Sequence, residues 1–140
     1  MNKQYLPKRW ETPELNIRTT DILLNLGIPA SSQGYCYLRS AIMLAYYDPE
    51  ATEYITKTLY PKVARICRAC SVESVARNCR RAIDRAFVTR TETLSECFGE
   101  TENYSRPTCA EFILTIAEHL HSEERSGGSY KYKNIDRHRE

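Results

Sequence analysis

The sequence predicts an all-α protein, a bundle of about six helices that contains a helix-turn-helix. Apolar residues recur at steps of three and four between positions 15 and 120, which is the spacing of one helix face. No segment alternates with the period of a strand, and the few Gly and Pro residues stand where helices would end. A length of 140 residues fits one domain with a core of its own.

The first two helices are predicted from their ends and from their apolar spacing. Thr19 or Thr20 is suited to cap a first helix, which stops at Gly27. A second helix is predicted from Gly34 to Tyr47, because its apolar residues form a wide stripe on one side.

Two prolines divide the next part of the chain. Asp48 followed by Pro49 predicts the N-cap and first residue of a third helix, which apolar spacing carries to about Tyr60. Pro61 should end that helix and serve as an early residue of a brief fourth one.

The longest predicted helix begins at the N-cap Ser71 and reaches position 88. Glu73 lies in its first turn, where the helix dipole favours an acidic side chain. Apolar and small residues at helical steps predict one buried face, formed by Val72, Val75, Cys79, Ala82, Ile83 and Ala86. The opposite side is predicted to be strongly basic and carries Arg77, Arg80, Arg81 and Asp84, with Ser74 beside them.

The last helices are predicted from a glycine and from a capping box. A short helix should end at Gly99, and a loop of residues 100–107 should follow. Thr108 and Glu111 have the spacing of a capping box and predict the start of the last helix. Residues 1–17 and 126–140 are polar, so we expect an N-terminal arm and a flexible C-terminal tail around a helix-turn-helix domain at 18–125.

Charge is segregated along the chain. Residues 57–90 contain nine basic and two acidic residues, a net charge of +7, whereas the remainder carries −5. A compact basic block in an otherwise acidic domain is typical of a protein that binds a polyanion. The alternative is a basic face that serves only solubility.

Composition and motifs argue against other classes of protein. The sequence has no apolar run long enough to span a membrane and no secretory leader, so we expect a cytoplasmic protein with six reduced, mostly buried cysteines. Cys67 and Cys70 have the spacing of a metal or redox pair, but the histidines are remote, and we expect no metal and no cofactor. We also expect no catalysis, because Gly-rich phosphate loops and paired catalytic acids are missing from the sequence.

Residues 61–88 have the layout of a helix-turn-helix, in which the second helix enters the major groove of DNA. Ser74, Arg77 and Arg81 suit that groove, because arginine can form two hydrogen bonds with guanine and serine is small. Arg80 and Arg81 diverge by about 100° around the helix, so one could read a base while the other holds a phosphate. The candidate DNA contacts around the turn are Lys57, Lys62, Arg65, Ser71 and Glu73, of which the three basic residues are suited to the backbone.

Residues 19–121 resemble the C-terminal effector domain of stage 0 sporulation protein A, a sporulation response regulator. The resemblance is carried by motifs spread over the whole range: Leu26-Gly27-Ile28-Pro29-Ala30, Gly34-Tyr35-x-Tyr37-Leu38-Arg39, Ile55-Thr56-Lys57-x-Leu59-Tyr60-Pro61, Val75-x-Arg77-x-x-Arg80-x-Ala82-Ile83, Phe98-Gly99 and Pro107-Thr108-x-x-Glu111-Phe112.

The resemblance implies a six-helix, DNA-binding transcription regulator of sporulation. It implies binding to double-stranded DNA at short boxes, with two copies paired head to tail or as a homodimer. Arg77 and Arg80 match the family's DNA contacts, whereas Ser74 replaces an arginine, Ala76 a glutamate and Arg81 a histidine. The residues before Thr19 are too few for the family's receiver domain, so we expect no phosphorylation control in cis. The alternative function is a protein-interaction module that modulates a full-length sporulation regulator by mixed dimerisation or competition.

Overall fold

The computed structural model describes residues 13–99 and 106–125, which form six α-helices and no strand. In chain order the helices are α1 (Pro13–Asn25), α2 (Gln33–Tyr47), α3 (Tyr60–Cys67), α4 (Val72–Thr89), α5 (Glu92–Phe98) and α6 (Cys109–Arg125). The prediction of an all-α bundle of about six helices is confirmed.

Helix α2 is the centre of the bundle and packs against α1, α3, α4 and α6. Its apolar stripe explains this position, because Leu38, Ala41 and Ile42 have no exposed surface. Burying such side chains contributes about 1.5 to 3 kcal/mol each, which is the main source of stability for helices of this length.

The first turn of α2 lies very close to the middle of α4. Gly34 is buried, and a Cβ added to it would lie 2.5 Å from the Asn78 carbonyl oxygen and 2.8 Å from the Ala82 Cβ. A side chain of any size at position 34 would therefore push the two helices apart. The N-cap of α2 is Ser32, whose hydroxyl accepts a hydrogen bond from the Tyr35 amide at 3.2 Å.

The first helix begins earlier than predicted. It starts at Pro13, and Thr19 is a buried residue inside it whose hydroxyl donates to the Leu15 carbonyl at 2.8 Å. The predicted cap at Thr19 or Thr20 is therefore wrong, and residues 13–17 are helical rather than part of an arm, with Leu15 in the core. The rest of the predicted arm, 1–12, and the predicted tail, 126–140, lie outside the described residues.

The predicted third helix is replaced by two short turns. A 3-10 turn spans Pro49–Thr52 and a π-helical turn spans Ile55–Leu59, which runs directly into α3. Asp48 precedes Pro49 as predicted, but its side chain makes no capping hydrogen bond. Pro61 lies at the start of α3, as predicted.

One predicted end of each of the last three helices is confirmed. The Ser71 hydroxyl accepts a hydrogen bond from the Ser74 amide at 3.0 Å and caps α4. Helix α5 ends at Gly99, whose φ of 75° suits glycine. Thr108 and Glu111 form the capping box, with each side chain accepting from the other residue's backbone N–H at 3.0 and 2.9 Å.

A buried polar network joins α1 to α6. The Arg18 guanidinium is almost fully buried and donates to the Leu120 carbonyl oxygen and, at 3.5 Å, to the Glu123 carboxylate. His119 Nε2 lies 2.9 Å from the other carboxylate oxygen of Glu123. This hydrogen bond is the main cause that raises the pKa of His119, and burial of the ring opposes it.

Within the part of the chain that the structure describes, no helix is both long enough and apolar enough to cross a membrane.

Replacing Gly34 by alanine should destabilise the protein by about 1 to 3 kcal/mol, because the added methyl group meets backbone atoms of α4 that cannot move aside freely. Urea unfolding followed by circular dichroism measures this. Gln33→Ala is the matched control, since Gln33 is exposed one residue earlier in the same turn. Equal stability of the two variants would contradict the close approach.

The contact between His119 and Glu123 should make stability depend on pH. The pKa of His119 is raised from 6.5 in the folded protein, so the stabilisation is fully present below that value and is lost as pH rises through the raised pKa. The free energy of unfolding of the unmodified protein should therefore fall, relative to that of His119→Gln, as pH rises from below 6.5 through the raised pKa. A difference between the two proteins that stays constant over this range would refute the prediction.

Candidate nucleic-acid interface

The α3–α4 unit has the element order that the sequence predicts for a helix-turn-helix. Helix α3 has eight residues, residues 68–71 connect it to α4, and α4 has 18 residues. The two helices pack against each other, and α4 buries Val75, Cys79 and Ile83 in the core. The opposite side of α4 is therefore the side that a ligand can reach.

Three exposed arginines form a stripe along that outer side. Arg77, Arg81 and Arg85 are four residues apart, so each is rotated by about 40° from the one before it. Their guanidinium groups make no hydrogen bond or ion pair with any described residue. We call these three residues the arginine stripe. It offers uncompensated positive charge and fifteen N–H donors over about two turns of helix.

Arg80 differs from its neighbours because it is engaged within the protein. Its Nη2 donates to the Pro107 carbonyl oxygen at 3.1 Å, and its Nε lies 3.4 Å from Asp84 Oδ1, a charge contact rather than a well-formed hydrogen bond. Arg106 reaches the same Asp84 oxygen at 3.0 Å. The predicted contact of Arg80 with DNA remains untested, and its observed contacts tie α4 to the segment before α6.

Ser74 is covered rather than exposed. Its relative exposure is 9 %, and its carbonyl and hydroxyl oxygens lie 2.8 and 3.4 Å from the Asn78 side-chain amide. The expectation of an outward-facing Ser74 is therefore wrong, because the side chain is buried and the Asn78 amide lies against it one turn further along α4.

The other predicted contacts lie around the α3–α4 connection. Lys57 is exposed in the π-helical turn, and Lys62 and Arg65 are exposed on α3. Ser71 is half-buried as the N-cap of α4, and Glu73 is exposed in the first turn. Ser71 thus has a structural role, whereas the three basic side chains are accessible to a polyanion.

Sequence reasoning did not single out Arg85 and Asn78, which the structure places with the predicted residues. Arg81, Arg85 and Asn78 line one cleft between α4 and the first turn of α2, together with Ser32. The spacing of four between Arg77, Arg81 and Arg85 is visible in the sequence and could have identified Arg85. The position of Asn78 depends on the approach of α2, which the sequence does not reveal.

The cysteines are free thiols, and only Cys79 is fully buried. The expectation that most of them are buried is therefore wrong, since Cys36 and Cys70 are exposed. Cys67 is half-buried on α3 with its sulfur 3.2 Å from the Ser40 hydroxyl, and burial raises its pKa. Burial also raises the pKa of Cys79, which keeps this core thiol protonated.

Comparison with protein families agrees with this arrangement. The family model described as "Sporulation initiation factor Spo0A C terminal" matches residues 19–120, which is most of the chain and includes α2, α3, α4 and α5 in full and parts of α1 and α6. This is a family of transcription regulators and not of enzymes. That the chain belongs to it supports binding of DNA. The chain therefore belongs to the family of Spo0A C-terminal domains, the DNA-binding effector domains of a sporulation regulator.

Proposed function

We propose that the protein binds double-stranded DNA sequence-specifically, with α4 in the major groove, and regulates transcription. The observation that supports this most directly is the arginine stripe, which is exposed and without partners among the described residues, on the outer side of the longest helix of the α3–α4 unit. A major groove about 12 Å wide accepts one helix of this kind.

Arg77 and Arg81 are the residues that we assign to base reading. Both are exposed. Arg77 lies in the half of α4 that is nearer its N-terminus, which is the end that contacts base edges in helix-turn-helix proteins, and Arg81 follows one turn later on the same stripe. An arginine that forms two hydrogen bonds with guanine contributes about 1 to 3 kcal/mol of discrimination against another base. These two residues can therefore select a short box.

Lys57, Lys62 and Arg65 are assigned to the DNA backbone. They precede α4 in the chain and are exposed, and lysine contacts to phosphate fix register without reading sequence. Arg80 is assigned a positioning role, because its hydrogen bond to the Pro107 carbonyl oxygen holds the arginine-bearing face against the segment before α6. Two copies would occupy adjacent boxes head to tail, which the stoichiometry of complexes on selected DNA tests directly.

Selection of binding sites from random duplex DNA should yield a defined motif. Arg77→Ala should lower affinity for that motif by about 10-fold or more, corresponding to about 1 to 3 kcal/mol, with little loss on random duplex. Lys62→Ala should instead weaken binding to every duplex alike and reduce the salt slope by about one. Gel shifts at several salt concentrations separate these two effects.

Arg125→Ala is the charge-matched control, because it also removes one exposed positive charge but from the end of α6. It should preserve the selected motif. The alternative, a module that modulates a full-length sporulation regulator, would be supported by equal, weak binding of the unmodified protein to all duplexes together with tight binding to that regulator.

Asp84 should limit the affinity of the protein for DNA in general. It lies on the outer side of α4 and compensates the charge of Arg80 and Arg106. Asp84→Asn should strengthen binding to random duplex several-fold, because it removes repulsion of phosphates and leaves the positive charges of Arg80 and Arg106 uncompensated. Stability should change by less than about 1 kcal/mol, since these ion pairs are partly exposed to solvent. Weaker binding by this variant would show that the ion pairs position the interface.

A further inference from the structure

Arginine occupies the left-handed backbone positions that end α3 and α4. Four residues have φ values in the left-handed region in the described chain: Gly27, Arg68, Arg90 and Gly99. Gly27 and Gly99 follow α1 and α5, where glycine adopts this conformation without cost. Arg68 and Arg90 both have φ of 56°, a conformation that costs stability for any residue with a Cβ.

The fold does not need arginine at position 68. The hydrogen bonds that end α3 are made by backbone N–H groups, since those of Arg68 and Ala69 both donate to the Ala64 carbonyl oxygen. Glycine would form the same bonds at lower cost. The Arg68 side chain is exposed and makes no hydrogen bond or ion pair with another residue of the described ranges. No hydrogen bond or ion pair of the Arg68 side chain within the described residues therefore compensates for the cost of its backbone conformation.

The position of Arg68 indicates which interaction could compensate for the cost of its backbone conformation. Arg68 lies in the connection between α3 and α4, four residues before α4 begins, and Lys62 and Arg65 are exposed on the preceding helix. The N-terminal end of a recognition helix approaches the bases, so the turn before it faces the phosphates that border the groove. A guanidinium group is always charged and matches the geometry of a phosphate.

We propose that Arg68 is a DNA phosphate contact, and that its left-handed backbone holds the guanidinium at the border of the groove at the expense of stability. This inference rests on the proposed function, since it assumes that α4 faces DNA. Arg90 has the same backbone conformation at the C-terminal end of α4, which is about 27 Å from the start of this 18-residue helix and beyond the width of the groove. Arg90 is thus a matched comparison.

The test compares Arg68→Gly with Arg90→Gly in melting temperature and in DNA binding. Each variant should melt at the same temperature as the unmodified protein or up to about 4 °C higher, because glycine relieves the strained backbone. Arg68→Gly should lose about fivefold in affinity at 0.15 M salt, equally for the selected site and for random duplex, and its salt slope should fall by about 0.9. Arg90→Gly should keep both the affinity and the slope.

Three results would overturn the inference: an unchanged salt slope for Arg68→Gly, equal losses of affinity for the two variants, or a lower melting temperature for Arg68→Gly. Arg68→Lys keeps the charge and should keep the slope, which separates a phosphate contact from a requirement for the turn itself. If the unmodified protein shows no sequence preference while Arg68→Gly still lowers the slope, the proposed base reading fails and the phosphate contact stands.

Discussion

The close approach of α2 to α4 is the constraint on which the rest of the structure depends. Gly34 brings the first turn of α2 so near to Asn78 and Ala82 that backbone rather than side chains sets the distance between the helices. Contacts between backbones are less adjustable than contacts between flexible side chains. The central helix thereby fixes the rotation of α4 about its own axis, and this rotation decides which of its arginines reach solvent.

The outer side of α4 consists of two electrostatically different halves. On one, Arg80 and Arg106 share the carboxylate of Asp84, so part of the charge is compensated before any ligand arrives. On the other, the arginine stripe has no acidic partner in the described chain. This division favours sequence selectivity. A basic helix without any acidic partner would bind all DNA strongly, and the difference in affinity between specific and non-specific sites would be smaller.

Sequence signals within one helical turn, such as caps, predicted the fold. Most of the features that they did not predict depend on contacts or chain geometry beyond one turn. The caps at Ser71 and Thr108 depend on residues within one turn, so the starts of α4 and α6 are readable from the sequence. Helix α1 extends back to Pro13 because Leu15 packs into the core, and the π-helical turn at 55–59 leads into α3 without a break. Ser74 is also missed at the site, since periodicity places it beside the arginines, whereas it is buried and accepts a hydrogen bond from Asn78 in the same helix.

Helix α4 is held by its buried face and its cap rather than by its outer side chains. Like charges four residues apart, as in the arginine stripe, each cost a few tenths of a kcal/mol. The Ser71 cap contributes about 1 kcal/mol, and the apolar face contributes more, so the helix tolerates this repulsion. A phosphate backbone laid against the stripe would remove the repulsion that the isolated protein bears. Binding and folding are therefore linked: a polyanion that recognises this face must also stabilise the helix that presents it.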